Sequence, residues 1–285
     1  MAIIFALIAF LGWGTGDIFG GIVAKKIGGY SAAFWSYVSS LLLTSLYIPF
    51  AISQLHNLTI GTFILFIFLM PIGVIPLMTL YEGIRVGNAS LVGTIGAAFG
   101  MVVVILSILF LGEKINTGQV VSIIIILAGL VLSSLDLSKI KIKQLITDKG
   151  VPYALTSMIC WGIYFTFIKI PIKQIGWFWP AYLSWLSFLP LVYIFMKVRK
   201  IKLQVPKGKT ITSLVGNVIL LCSAIFAYNF AINSGGQSAI VAPIASAYPA
   251  LFAILAYFVF KDRLNKQQIA GIIITLLGII LLSTS

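Results

Sequence analysis

The residues best placed to do chemistry in this chain lie in one short stretch, "LGWGTGDIFGG", Leu11 to Gly21. It puts the carboxylate of Asp17 inside an apolar run that begins at Met1. An ionisable group in such a run is costly and marks a functional position by default. A carboxylate there can bind a cationic group, exchange a proton, or pair with a nearby base. Trp13 lies one helical turn before it, on the same face. Gly12, Gly16 and Gly20 recur every four residues on the neighbouring face, about 100° round, and small residues at that spacing let helices approach closely. The glycine face is therefore expected to pack on a partner helix while Trp13 and Asp17 look into a cavity. The competing reading pairs Asp17 with Arg85 or Lys26.

The remaining ionisable residues are sparse. The acids are Asp17, Glu82, Glu113, Asp136, Asp148 and Asp262, and the one histidine is His56. No two of them form an obvious acid/base pair, and no HExxH, nucleophile elbow or phosphate-binding loop occurs. No catalytic residue, cofactor or metal is expected. Glu82 stands three residues before Arg85, the spacing of a helical ion pair. Glu113–Lys114 and Asp262–Arg263 read as anchors at the membrane surface, and Lys169 as a side chain reaching for the headgroups. Cys160 and Cys222 fall in apolar runs and read as packing residues.

The elements that hold these residues follow from composition. Of the 285 residues, 60% are hydrophobic and 9% charged, against about 25% charged in a soluble domain. Apolar runs near 20 residues recur along the chain, each long enough at about 1.5 Å per residue to cross a hydrocarbon core of about 30 Å. The lipid bilayer is thus one partner of this chain. The net charge of +13 sits in short loops between the runs, so nucleic acid is not implied. The runs lack the alternation of barrel strands and read as helices. Ten spans are predicted, at 2–23, 31–52, 61–83, 89–111, 118–135, 151–170, 178–196, 210–232, 238–260 and 267–284. Pro71 and Pro76 are expected to interrupt the third, and Pro243 and Pro249 the ninth. The first run lacks a basic stretch before it and reads as a permanent span.

The chain also repeats itself. "CWG" at 160–162 echoes "GWG" at 12–14, an offset of 148. "DRLNKQQIAGIIITLLGIILLS" from Asp262 parallels "EKINTGQVVSIIIILAGLVLSS" from Glu113, an offset of 149. The repeat unit is five spans, residues 1–140 and 150–285, within one membrane domain. Five is odd, so the second copy enters the membrane from the opposite side. The fold class is therefore an all-α membrane protein of ten transmembrane helices in two inverted five-helix repeats. Secondary transporters have this architecture, with a site near the midplane between repeats. Trp13, Phe99, Trp161 and Tyr248 each lie about 15 Å into their spans, two from each repeat. A mid-depth pocket bounded by Trp13, Phe99, Trp161, Tyr164 and Tyr248, with Asp17 facing it, is the expected substrate-binding site. Sixteen of the nineteen Lys and Arg residues fall on one side if both termini are outside, which the positive-inside rule favours. The expected location is the plasma membrane.

The early aromatic-Gly pair of each half resembles the drug/metabolite transporter superfamily, specifically its EamA-type ten-helix members. So do "NASLVGTIGAAFGMVVVILSILFLGEKI" and its partner "GQSAIVAPIASAYPALFAILAYFVFKDRL". The resemblance covers essentially the whole chain and implies fold and transport, but not substrate. Two features depart from the family pattern. Of the paired mid-helix prolines only Pro249 is present, with Gly100 as its counterpart, and the charge bias opposes the usual orientation with both termini in the cytosol. The resemblance and the residues together imply a secondary active transporter working by alternating access on a small-molecule substrate, with an amino acid or other amine-bearing compound favoured. The alternatives are a sugar or nucleotide-sugar carrier of the same fold and, in another class, a membrane enzyme or a non-catalytic partner subunit. A monomer and a homodimer both fit.

Overall fold

The computed structural model describes residues 1–136, 147–261 and 264–285. Lys139, Lys141 and Lys143 of the basic count, and the Asp262–Arg263 pair, lie outside the described residues. All regular structure described is helical. The elements are α1 (Ala2–Ile27), α2 (Gly29–Ser45), α3 (Ile48–Ala51) followed by a 3₁₀ turn (Ile52–Asn57), α4 (Ile60–Val86), α5 (Ala89–Ala97), α6 (Phe99–Leu111) and α7 (Thr117–Ser134) in the first half. The second half has α8 (Val151–Phe167), α9 (Lys169–Ile175), α10 (Phe178–Val198), α11 (Lys209–Asn233), α12 (Ser238–Ser246), α13 (Tyr248–Val259) and α14 (Lys266–Thr284). Nine helical segments among the described residues are long and apolar enough to cross a membrane. One further span, the second in chain order, is bent by 67° between α2 and the segment Ile48–Asn57.

The two halves match in local detail. The fifth and tenth spans both open with a capping box, Asn116 with Gln119 and Asn265 with Gln268, in which each side chain bonds the other residue's backbone N–H. The fourth span breaks at Ala98 and the ninth at Ala247, which are 149 residues apart. Packing obeys the same exchange. Helix α1 lies on α11 as α8 lies on α4, and α6 meets α8 as α13 meets α1. The last helices of the halves, α7 and α14, run antiparallel. Gln119 Nε2 donates to the Ser285 carbonyl at 3.4 Å, and Gln267 Nε2 to the Leu135 carbonyl at 2.7 Å. A Cβ on Gly278 would lie 2.8 Å from Ile126, and one on Gly129 would run into Thr275, the repeat equivalent of Ile126. This is an inverted pseudo-two-fold arrangement.

Three expectations are corrected. Pro71 and Pro76 do not interrupt their span, since α4 is continuous through both. Each proline removes one backbone donor and frees the carbonyl four residues earlier, a loss that a helix packed against its neighbours tolerates; Ser157 Oγ of α8 ties the two helices together at this level by donating to the Pro76 carbonyl at 3.1 Å. Second, Lys169 does not reach for headgroups, because its Nζ is bound to the Glu113 carboxylate. Third, Glu113 is not a surface anchor. It is 7% exposed and accepts from the backbone N–H groups of Ser238 and Ala239 at 2.9 and 2.8 Å. The first turn of α12 leaves N–H donors without intrahelical partners, and an acid placed there satisfies them and the helix dipole together.

Candidate functional site: the central cavity

The glycine face of α1 packs on α11. A Cβ on Gly12 would lie 2.8 Å from the Ala224 Cβ, one on Gly16 would lie 3.4 Å from the Leu220 Cβ, and one on Gly20 would lie 2.9 Å from Asn217 Nδ2. With that face pressed against α11, Trp13, Asp17 and Gly21 turn toward a cavity of about 450 Å³ between the two halves. The lining follows α1 from Trp13 to Ala24 and α4 from Gly73 to Tyr81. It therefore extends from mid-depth toward the face that carries Lys25, Lys26 and Arg85. Toward the opposite face the space is filled by Ala6, Ala9, Phe10, Tyr228, Ala231 and Ile232, all buried.

All six residues singled out in the sequence line this cavity: Trp13, Asp17, Phe99, Trp161, Tyr164 and Tyr248. Four of the rings meet directly. Trp13 lies 6.3 Å from Phe99 and 6.0 Å from Tyr248 between ring centroids, and Phe99 lies 5.8 Å from Trp161. Phe165, the repeat equivalent of Asp17, stacks on Phe99 at 5.0 Å and touches Trp13 at 5.6 Å. Such ring pairs add roughly 0.5–1.5 kcal/mol each beyond area burial, which makes this a stiff wall. Tyr164 is held by its hydroxyl, 2.7 Å from Ser184 Oγ.

Asp17 is half-buried, and among the described residues its carboxylate has no hydrogen-bond or ion-pair partner. The bases that could have neutralised it are engaged elsewhere. Arg85 Nη2 sits 2.8 Å from Glu82 Oε2, and Arg199 reaches the other Glu82 oxygen at 3.2 Å. Lys25 lies over the Phe260 ring at 4.1 Å, and Lys26 is exposed. The expected helical pair of Glu82 with Arg85 is thus present, while a pair of Asp17 with Arg85 or Lys26 is not formed.

Several lining residues escaped the sequence reading. Asn217 donates from Nδ2 to the Gly16 carbonyl at 2.9 Å and accepts from Ser36 Oγ at 2.9 Å. Ser36 and Ser40 stand one turn apart on the cavity face of α2. Tyr37, Tyr81, Trp185, Phe188 and Phe252 complete the aromatic lining. A single Asn deep in an apolar run was the signal available for Asn217, and the Ser36–Ser40 spacing was the signal for α2.

An integral membrane protein built of two inverted halves around a central cavity has the architecture of a transporter. The comparisons with known proteins give its family. The profile of the EamA-like transporter family matches residues 1–135 and, again, 148–284. The chain belongs to that family, within the drug/metabolite transporter superfamily. A "Probable amino-acid metabolite efflux pump" of Salmonella typhimurium is 30% identical over 132 residues, 45% of this chain and 41% of that protein. One of the same description from Escherichia coli strain K12 is 29% identical over the same shares. The matched region thus spans less than half the length of these curated relatives. An uncharacterized protein of Methanocaldococcus jannaschii is 27% identical over 48% of this chain and 98% of its own length. A crystal structure matches with a TM-score of 0.82 at 12% identity, over 98% of this chain and 95% of that one, which establishes likeness of fold.

Proposed function

We propose that this protein is a secondary transporter that moves a small amine-bearing metabolite by alternating access through the central cavity. The observation that carries the reading is the unpaired Asp17 carboxylate on the wall of an aromatic-lined cavity between inverted halves. Aromatic faces attract a desolvated cation, and a carboxylate without a base of its own offers it a counter-charge. The volume of about 450 Å³ suits a small organic molecule. The names of the bacterial relatives, which speak of amino-acid metabolites, support the substrate class. In this reading Trp13, Asp17, Phe99, Trp161, Tyr164 and Tyr248 are the binding residues, and a gradient supplies the energy. A sugar carrier is the second reading, favoured by the same aromatic walls, but it leaves Asp17 without a task.

Charge bias puts the lysine-rich face in the cytosol and both termini outside the plasma membrane. The cavity then faces the cytosol. Two experiments test the proposal. In proteoliposomes preloaded with unlabelled phenethylamine, external labelled phenethylamine should accumulate above protein-free vesicles. Accumulation of sugars but no amines would overturn the amine reading. For topology, a cysteine placed before Met1 in a chain lacking Cys160 and Cys222 should react with an impermeant thiol reagent on intact cells. Reaction only from cysteines in the loop 199–208 would reverse the orientation.

A further inference from the structure

The charge pattern of the cavity wall is one-sided. Among its lining residues Asp17 is the single acid, and no Lys, Arg or His joins it. Of the bases on the face toward which the cavity extends, Arg85 and Arg199 are bound to Glu82, Lys25 lies over the Phe260 ring and Lys26 is exposed. The hydroxyls are also partly used, since Tyr164 bonds Ser184, and Ser36 with Asn217 forms a closed chain onto the Gly16 carbonyl. Eleven of the twenty-seven lining residues are aromatic. A zwitterion whose ammonium docks on Asp17 brings its own carboxylate to within about 5 Å of the Asp17 charge, with no base to offset it. At an effective dielectric near 20, that repulsion is worth on the order of 100-fold in affinity.

We propose that the cavity takes singly charged organic cations, an ammonium on an apolar or aromatic body without a carboxylate, and rejects zwitterionic amino acids. This rests on the reading of the cavity as the transport site and narrows it. The ammonium sits on Asp17 between the α1 and α2 faces. The body lies among Trp13, Phe99, Trp161 and Tyr248, where a ring gains stacking and cation–π contact. An uncharged ligand of the same shape keeps the stacking and loses the charge contact.

The test uses three ligands of one skeleton: phenethylamine, phenylalaninol, which carries CH₂OH in place of the carboxylate, and phenylalanine. Ligands that bind the folded state raise its melting temperature. Purified full-length protein should be stabilised by phenethylamine and phenylalaninol, and by phenylalanine only at concentrations on the order of 100-fold higher. Asp17→Asn should abolish the difference between phenylalaninol and phenylalanine. Equal or stronger stabilisation of the wild type by phenylalanine overturns this proposal and leaves amine transport standing. Unchanged discrimination in Asp17→Asn also overturns it, since the charge would then act from elsewhere. If none of the three raises the melting temperature, this proposal and the amine reading fail together.

Discussion

Glu113 and Asp17 are both acids inside apolar structure, and the protein treats them in opposite ways. Glu113 is closed in on every side. Its two oxygens take the Lys169 ammonium and two backbone N–H groups of α12, and so join the first half to the second. Asp17 has a cavity in front of it and no described partner. The contrast teaches where a carboxylate does structural work and where it is kept available. A buried charge is tolerated when each lone pair is used. One left unused beside a cavity is held there by the packing of its helix, here the glycine seam of α1 on α11.

Deleting each acid in turn should have opposite consequences. Glu113→Ala leaves the half-buried Lys169 without its counter-charge and α12 uncapped, which should cost about 3 kcal/mol, read as a large fall in melting temperature in detergent. Asp17→Asn should leave stability within about 0.5 kcal/mol of wild type, because no interaction is lost. Comparable losses from both would erase the distinction. Next in size is the seam that positions Asp17. Gly12→Val drives a branched side chain into Ala224 and should cost about 1–3 kcal/mol, whereas Gly16→Ala, with a Cβ at 3.4 Å from Leu220, should be nearly silent. A smaller loss than that of Gly12→Val is expected of Ser36→Ala, which removes one hydrogen bond to Asn217 and should cost about 1 kcal/mol. Equal melting temperatures for the Gly12 and Gly16 variants would show that the seam is looser than these distances require.

The two regions also differ in how far the sequence announced them. Trp13, Phe99, Trp161 and Tyr248 were legible because depth along a helix is a matter of counting, and because the repeat supplied each with a counterpart. The glycine face of α1 was legible from its period of four, though its partner was not, since nothing local names α11. Glu113 and Lys169 are 56 residues apart in sequence, and their pairing depends on where α9 and α12 meet the end of α6. Lone ion pairs of that kind leave no periodic trace. The break at Ala98 was missed because the break at Ala247 is marked by Pro249 while the first half has Gly100. A Cβ at Gly100 would run into Ser246, so close packing of α6 on α12 accounts for glycine there.

In the proposed transport cycle the charge on Asp17 serves transport and not the fold. The titratable groups facing it across the cavity are the phenols Tyr37, Tyr81, Tyr164 and Tyr248, whose reference pKa near 10 keeps them neutral in the working range. The direct measurement is the initial rate of phenethylamine uptake into proteoliposomes between pH 6 and 8, for wild type and Asp17→Asn reconstituted at equal density. The expected rate changes with pH in the wild type, and in Asp17→Asn it is at least about 10-fold lower and flat across the range. A variant that transports at the wild-type rate with the wild-type pH profile would contradict it.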